Sequence, residues 1–170
     1  MKQNNKYKIL VLSDLKEPTK NALKNAVQLA KTIDANVEFF HVKKPTDIVS
    51  TDSQLSAMRS INKEYVITEK KIEKLVAPII EGEAIAIDTS FVFGNVKNEI
   101  KNHINNVQPD VIILGSRKPK VLSFIGDKIT EFVSKYHKKT TIIVSTGKHF
   151  DFETLFSLDV LKQEHQVIEA

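Results

Sequence analysis

The sequence predicts an open, doubly wound α/β sandwich with five strands and four helices in strict alternation. Two observations carry this prediction. Short apolar runs of strand length alternate with longer stretches in which apolar residues recur at helical spacing. Strands separated by helical crossovers must run parallel, and nearly continuous apolar runs are typical of a parallel sheet covered on both faces. We therefore expect one sheet with helices on both sides.

The first strand is expected at Tyr7 to Ser13, "YKILVLS", which ends at Asp14. A helix should follow, because Pro18 suits a first helical turn and apolar residues then recur at steps of three and four. Those apolar positions are Ala22, Ala26, Leu29, Ala30 and Ile33. The second predicted strand is "NVEFFHV", Asn36 to Val42.

A second amphipathic helix is predicted from about Leu55, with Pro78 and Gly82 marking its end. Its apolar stripe consists of Met58, Ile61, Tyr65, Ile72, Leu75 and Ile79. The third strand is expected at Ala84 to Gly94, "AIAIDTSFVFG".

The remaining elements continue the alternation. The third helical stripe consists of Val96, Ile100, Ile104 and Val107. The most apolar strand, "DVIILGS", spans Asp110 to Ser116, and the last predicted strand, "TTIIVS", spans Thr140 to Ser145. Between these two strands, the fourth helix carries Ile129, Phe132, Val133 and Tyr136.

Length and composition limit the class of protein. With 170 residues the chain suits a single domain, which we place at residues 1–146, followed by a tail at 147–170. A hydrophobic share of 41% and a charged share of 27% are typical of a soluble globular protein. The sequence has no cysteine, which excludes a disulfide framework and favours a reducing, cytoplasmic setting.

Charge and hydropathy argue against two kinds of partner. The apolar stretch "ILVL" after the polar start "MKQNNKYK" is too short for a signal peptide or a membrane span. A net charge of +4 is mild, and no basic block is interleaved with aromatic residues. We therefore expect neither a membrane nor a nucleic acid as partner.

Two long stretches of the sequence resemble a known family. In "KILVLSDLKEPTKNALKNAVQLAKTIDANVEFFHV" a strand ends in Asp, a helix of Ala and Leu follows, and the second strand closes in His-Val. In "FVFGNVKNEIKNHINNVQPDVIILGS" Gly94 heads the third helix and Asp-x-Ile-Ile-x-Gly-Ser forms the fourth strand. From about Lys6 to Ser145, the chain resembles the universal stress protein family.

The resemblance implies a five-stranded parallel sheet of order 3-2-1-4-5 in a protein that is usually dimeric. The family has two branches, one that binds ATP and one that does not. In the ATP-binding branch, the first-strand Asp and the second-strand Val contact adenosine. In that branch a glycine-rich loop surrounds the phosphates. Its motif is Gly-x-x-Gly, followed after about nine residues by Gly-Ser or Gly-Thr. Asp14, Val42 and Gly115 match their positions, whereas Lys118 replaces the second glycine. All three matching positions are predicted at carboxyl ends of strands, where doubly wound sheets bind ligands.

The end of this loop departs further from the phosphate motif. Only ten residues separate Gly115 from Gly126, and Asp127 follows where the motif has Ser or Thr. A carboxylate there can cap the fourth helix, which occupies the amides that a phosphate would use. It also repels a polyphosphate by about 1 kcal/mol per charge pair in water. We therefore expect a degraded cradle and no bound cofactor, with ATP disfavoured.

Several candidate residues have both a functional and a structural interpretation. Asp14 either contacts a nucleotide or accepts hydrogen bonds where the first helix begins. The basic stretch Arg117 to Lys120 either binds phosphates or an acidic partner, or is simply solvated. The five histidines show no metal-ligand spacing, and His41 is expected to pack in the core. No hydrolase elbow or other enzyme signature is present, so we expect a protein that is not an enzyme.

The last strand and the tail suggest a dimer. Thr140 to Ser145 lacks proline and charge, which is a liability for an edge strand, and pairing across a two-fold axis would satisfy it. The tail has apolar residues at Phe150, Phe152, Leu155, Phe156, Leu158, Val160 and Leu161. It is expected to dock on its own domain or on the dimer mate, with a free peptide ligand for a third protein as the alternative.

Two functions remain open from the sequence. The first is a non-catalytic scaffold or adaptor of stress physiology that works through its dimer, its tail and an unknown protein partner. The second is an adenine-nucleotide sensor that uses Asp14, Val42, Gly115, Lys118 and Gly126 in a non-standard way.

Overall fold

The computed structural model describes residues 7–45, 53–116, 128–137, 140–146 and 167–169. Strands and helices alternate through most of the chain. The elements are β1 (Tyr7–Ser13), α1 (Glu17–Ile33), β2 (Ala35–Lys43), α2 (Gln54–Ile80), β3 (Ile87–Phe93), α3 (Val96–Val107), β4 (Val111–Gly115), α4 (Lys128–Tyr136), β5 (Thr141–Ser145) and β6 (Val167–Glu169).

The strands form one parallel sheet in the order β3-β2-β1-β4-β5-β6. Its first five strands and the four helices confirm the predicted α/β architecture and the order 3-2-1-4-5. The sixth strand was not predicted. It pairs in parallel with β5, with Ile142 opposite Val167.

The prediction that Thr140 to Ser145 is the edge strand of the sheet is wrong, because β6 pairs with β5 there. A three-residue strand has no recognisable period, so the sequence pattern did not reveal it. The rest of the tail, 147–166 and 170, lies outside the described residues. Dimer formation through this side of the sheet stays a prediction.

The sheet is covered on both faces, as a doubly wound fold requires. Alternate side chains of β1 point to opposite sides, so Ile9 and Val11 pack with α1 and α2, whereas Leu10 and Leu12 pack with α3 and α4. Helix α1 contributes a fully buried stripe because its apolar residues recur at helical spacing. That stripe consists of Ala22, Leu23, Ala26, Leu29 and Ala30.

Helix α2 is longer than the strand that it packs against. Its 27 residues span about 40 Å, whereas the seven residues of β3 span about 23 Å. Only its second half is buried, at Thr68, Ile72 and Val76, while Leu55 and Met58 are 70% and 60% exposed. The helix continues through Pro78 and ends just before Gly82, which has a positive φ of 76°. None of the described helices is long and apolar enough to cross a membrane.

Candidate functional site

Strands β1, β2 and β4 end at one side of the sheet, here called the carboxyl edge. Ser13 is in register with His41, and Leu12 with Leu114. Asp14 follows Ser13, Val42 follows His41 and Gly115 follows Leu114. The fold therefore brings all three candidate residues to this edge. The edge includes the point between β1 and β4 where the strand order reverses, which is where ligands bind in such folds.

Asp14 stabilises the turn from β1 into α1. Its Oδ1 accepts a hydrogen bond from the Lys16 amide at 3.1 Å and another from the Thr19 hydroxyl at 3.1 Å. Ser13 Oγ accepts from the Leu15 amide at 2.9 Å, and Leu15 adopts a left-handed φ of 58°. Thr19 is almost fully buried. These contacts show the structural role expected of Asp14 at the start of the helix; the nucleotide contact stays a prediction.

Val42 and Gly115 are held by packing. Val42 is half-buried beside Val92, which is its partner in the β2–β3 register. A Cβ atom at Gly115 would lie 2.6 Å from the carbonyl carbon and oxygen of Pro18. Gly115 is therefore required for the end of β4 to approach the first turn of α1. The family resemblance matched this glycine to a phosphate loop, and the structure gives it a packing role as well.

The rest of the predicted phosphate loop cannot be placed in this way. Lys118, Gly126 and Asp127 lie outside the described residues, as do the other members of the Arg117 to Lys120 stretch. Helix α4 begins at Lys128, directly after Asp127. The described end of β4 is fixed by a hydrogen bond from the Ser116 amide to the Ser145 carbonyl at 2.7 Å.

His41 is a core histidine, as predicted. It is 7% exposed, and its Nδ1 lies 2.8 Å from the Ser13 carbonyl oxygen. Because a carbonyl only accepts, Nδ1 carries the proton and donates. Burial holds the pKa of His41 below its ordinary value, and the nearby Lys43 ammonium lowers it further. His41 is thus neutral at physiological pH, and its role is to join β2 to β1.

Two side-chain contacts between separate elements were not recognised from the sequence. Lys43, at the end of β2, pairs with Glu64 of α2, and this hydrogen bond lowers the pKa of Glu64. On the opposite side of the sheet, His103 Nε2 lies 2.7 Å from Glu38 Oε1. The partners are 21 and 65 residues apart, so no local spacing signals either pair.

The His103 pair is stabilised by stacking. The imidazole lies parallel to the Phe40 ring, at a centroid distance of 3.8 Å and an interplanar angle of 3°. Ser90 also contacts the same Glu38 oxygen at 3.4 Å. These contacts join α3 to β2 and β3. Within the described ranges, no three His, Cys, Asp or Glu residues are grouped as a metal site would require.

A buried polar contact fixes α1 against β5 near the carboxyl edge. Asn25 Nδ2 donates to Ser145 Oγ at 2.8 Å, and the two residues are 8% and 1% exposed. Thr19 and Asn25 are the polar members of an otherwise apolar buried face of α1. A polar residue inside an apolar helical stripe was the signal that could have identified both.

The fold and the site define a doubly wound α/β protein of the kind that binds ligands at the carboxyl ends of its strands. The sequence model described as the Universal stress protein family matches residues 7–145. The chain belongs to the universal stress protein family. A search of the curated proteins found no match.

Solved structures from three organisms share this fold. The universal stress protein UspA from Lactobacillus plantarum has 18% identity and a TM-score of 0.67, with 81% of this chain and 96% of that chain covered. A family member from Burkholderia pseudomallei has 13% identity and a TM-score of 0.59, with 81% and 93% covered. A family protein from Arabidopsis thaliana with AMP bound has 17% identity and a TM-score of 0.53, with 81% and 90% covered.

Proposed function

We propose that this chain is a non-catalytic scaffold or adaptor of stress physiology that works in the cytoplasm without a bound nucleotide. One observation carries the proposal: the β1–α1 junction already uses two candidate nucleotide residues. Asp14 Oδ1 accepts hydrogen bonds from Lys16 and Thr19, and Gly115 makes room for Pro18. Both residues therefore have structural roles that require no ligand.

The sequence of the loop after β4 supports the same conclusion. Lys118 stands where the phosphate motif has its second glycine, and Asp127 stands directly before α4. A carboxylate at the start of a helix takes up amides that a phosphate would need, and it repels a polyphosphate. The binding of a triphosphate is disfavoured on both grounds.

The non-catalytic part of the proposal rests on the polar groups of the site. His41 is buried and donates to a backbone carbonyl, and Lys43 is engaged by Glu64. General acid–base catalysis requires a titratable group that reaches substrate, and neither of these residues is presented in that way.

We extend the proposal to a homodimer that also binds a further protein. The predicted contact is the side of the sheet formed by Thr140 to Ser145, together with the tail. Because β6 already pairs with Ile142, Ile143 and Val144, a dimer contact on this side must include β6 or displace it.

Calorimetry tests the nucleotide-independent function. The purified full chain is titrated with ATP and magnesium. A second sample is denatured by heat, and the supernatant is examined for nucleotide that co-purified with the protein. We expect no saturable heat in the micromolar range and no released nucleotide. Saturable micromolar binding would contradict the proposal.

An adenine-nucleotide sensor is the second candidate. The observation that favours it is the convergence of Asp14, Val42 and Gly115 at the carboxyl edge, in a chain whose Arabidopsis relative was solved with AMP bound. A nucleoside monophosphate needs less of the phosphate cradle than ATP does, so AMP belongs in the same titration.

Substitution of Asp14 separates a specific site from general binding. If the sensor function holds, Asp14→Ala removes AMP or ATP binding, whereas Asp88→Ala leaves it unchanged. Asp88 is a matched control because it is an exposed aspartate on β3, two strands away from β1. Circular dichroism must show that Asp14→Ala still folds, since Asp14 also stabilises the turn before α1.

A further inference from the structure

A groove runs between α2 and β3 on the side of the molecule away from β6. Its volume is about 690 Å³, which lies in the range of ligand sites. Its apolar lining comes from both elements: Ala77, Ile80, Ile87 and Phe91 are exposed or partly exposed, whereas Ile72 and Val76 are buried. Tyr65 closes the end nearest the carboxyl edge, where its ring lies 4.6 Å from that of Phe91. We call this feature the α2–β3 groove.

The groove reaches the open edge of the sheet. Among the described residues, β3 pairs only with β2, and no described segment pairs with its other side. Thr89 and Ser90 both line the groove. Because these two consecutive residues both line it, the groove reaches the backbone of β3.

The edge of β3 carries little protection against pairing. It has seven residues, "IDTSFVF", with no proline and no lysine, and its single charge is Asp88. Natural sheets usually protect such edges with lysine, proline or a covering segment. The opposite edge of this sheet is only the three-residue β6. Among the described strands, the long edge without lysine or proline is therefore β3.

The charge of the groove is one-sided. Within the described part of the chain, its charged lining residues are Glu69 and Glu73, one turn apart on α2. If two copies of this chain packed together through this groove, Glu69 and Glu73 of one copy would approach the same carboxylates of the other. The repulsion between these like charges is unfavourable. A cationic segment would be attracted instead.

We propose that the α2–β3 groove binds an extended, basic peptide segment of a partner protein, which adds a strand to β3. Such strand addition uses backbone hydrogen bonds for affinity and alternate side chains for specificity. Alternate apolar residues of the peptide pack on the partly exposed Ile80, Ile87 and Phe91, and its Lys or Arg residues face Glu69 and Glu73. From Tyr65 to Ile80 the groove follows α2 for about 22 Å, which matches an extended segment of roughly seven residues.

This inference deepens the proposed adaptor function by naming the class of partner and its site, and it rests on that function. The groove is separate from the carboxyl-edge residues Asp14 and Gly115. The peptide-binding proposal and the nucleotide-independent function can therefore be refuted independently. Tight ATP binding would refute the nucleotide-independent function without touching the groove. Peptide binding at a different surface would refute the groove and leave the adaptor function standing.

Nuclear magnetic resonance of the ¹⁵N-labelled full chain tests the proposal with three short capped peptides. In the first, Val alternates with Lys; in the second, Val alternates with Glu; the third is the Lys peptide with N-methyl groups along one backbone edge. We expect the Lys peptide to shift the amides of Ile87–Phe93 and of the facing side of α2. The Glu and N-methyl peptides should bind at least about tenfold more weakly.

Charge reversal supplies the matched comparison. The double variant Glu69→Lys, Glu73→Lys should reverse the preference between the Lys and Glu peptides. The control Glu17→Lys, Glu131→Lys makes the same change in net charge at exposed positions on α1 and α4, and should preserve the preference. The proposal is overturned by shifts that map elsewhere, by affinities that ignore N-methylation, by no shifts at millimolar peptide, or by self-association of the chain through β3.

Discussion

Gly115 at the end of β4 and Pro18 in the first turn of α1 are packed so closely that no side chain fits between them. A Cβ atom at Gly115 would lie 2.6 Å from the Pro18 carbonyl group. The contact joins two strands' ends at the point where the sheet reverses its order, because α1 begins directly after β1. It thereby fixes the end of β4 against the turn between β1 and α1, where Asp14 lies.

Gly115→Ala should destabilise the protein by about 1 to 3 kcal/mol, because the added methyl group must push α1 away from β4. Urea unfolding followed by circular dichroism measures the effect. Gly94→Ala is the control: there the atoms nearest to an added Cβ belong to the side chain of Glu99, which can rotate away. Equal losses in the two variants would contradict the packing role of Gly115.

Thr19→Val should also destabilise the protein, by about 1 to 3 kcal/mol, since it removes a buried donor to the Asp14 carboxylate while keeping the shape of the side chain. Thr32→Val is the matched control in the same helix. Thr32 is exposed, and its hydroxyl bonds only to the Gln28 carbonyl, so a change within about 0.5 kcal/mol is expected. A loss for Thr32→Val as large as that for Thr19→Val would show that the Asp14 contact adds nothing specific.

Stability should fall as the pH drops below about 6.5. The pKa of His41 is lowered in the folded state by burial, and that of His137 is lowered by burial and by Lys101. The unfolded chain therefore binds protons in a range where the folded chain does not, which favours unfolding. Their contribution is fully present above the ordinary histidine value of 6.5 and decreases as the pH falls towards the lowered values.

His41→Asn tests this pH dependence, because an asparagine amide can still donate to the Ser13 carbonyl but does not titrate. Urea unfolding between about pH 5 and 8 should show a shallower slope in the variant, whatever its absolute stability. Adding His137→Asn should flatten it further. If the double variant has the same slope of stability against pH as the original chain, then the burial of neither histidine contributes to the pH dependence.

Removal of residues 147–170 should increase self-association. The deletion uncovers the edge of β5 at Ile142, Ile143 and Val144, which carry no charge to prevent pairing with another sheet. Sedimentation velocity of the full and shortened chains measures the change. A variant that lacks only 167–170 isolates the contribution of β6, and shortened chains that associate no further than the full chain would contradict the protective role of this strand.

The sequence by itself determined the order of the elements and the faces that they bury. The apolar run "YKILVLS" is typical of a strand, and the Ala and Leu residues of α1 recur at helical spacing. Such patterns are local properties of the sequence, so they can be recognised without knowing which segments pack together. The carboxyl-edge positions of Asp14, Val42 and Gly115 followed from the same reasoning. The core role of His41 followed from its place at a strand end.

Only the tertiary structure decided which distant residues meet. The pairing of His103 with Glu38, of Asn25 with Ser145 and of β6 with β5 depends on contacts between segments far apart in the chain. No spacing in the sequence records them, because such contacts arise when the packed helices and the sheet bring separate surfaces together. The place of β3 at one end of the described sheet could not be predicted for the same reason, because which strand lies at an edge is a property of the assembled sheet.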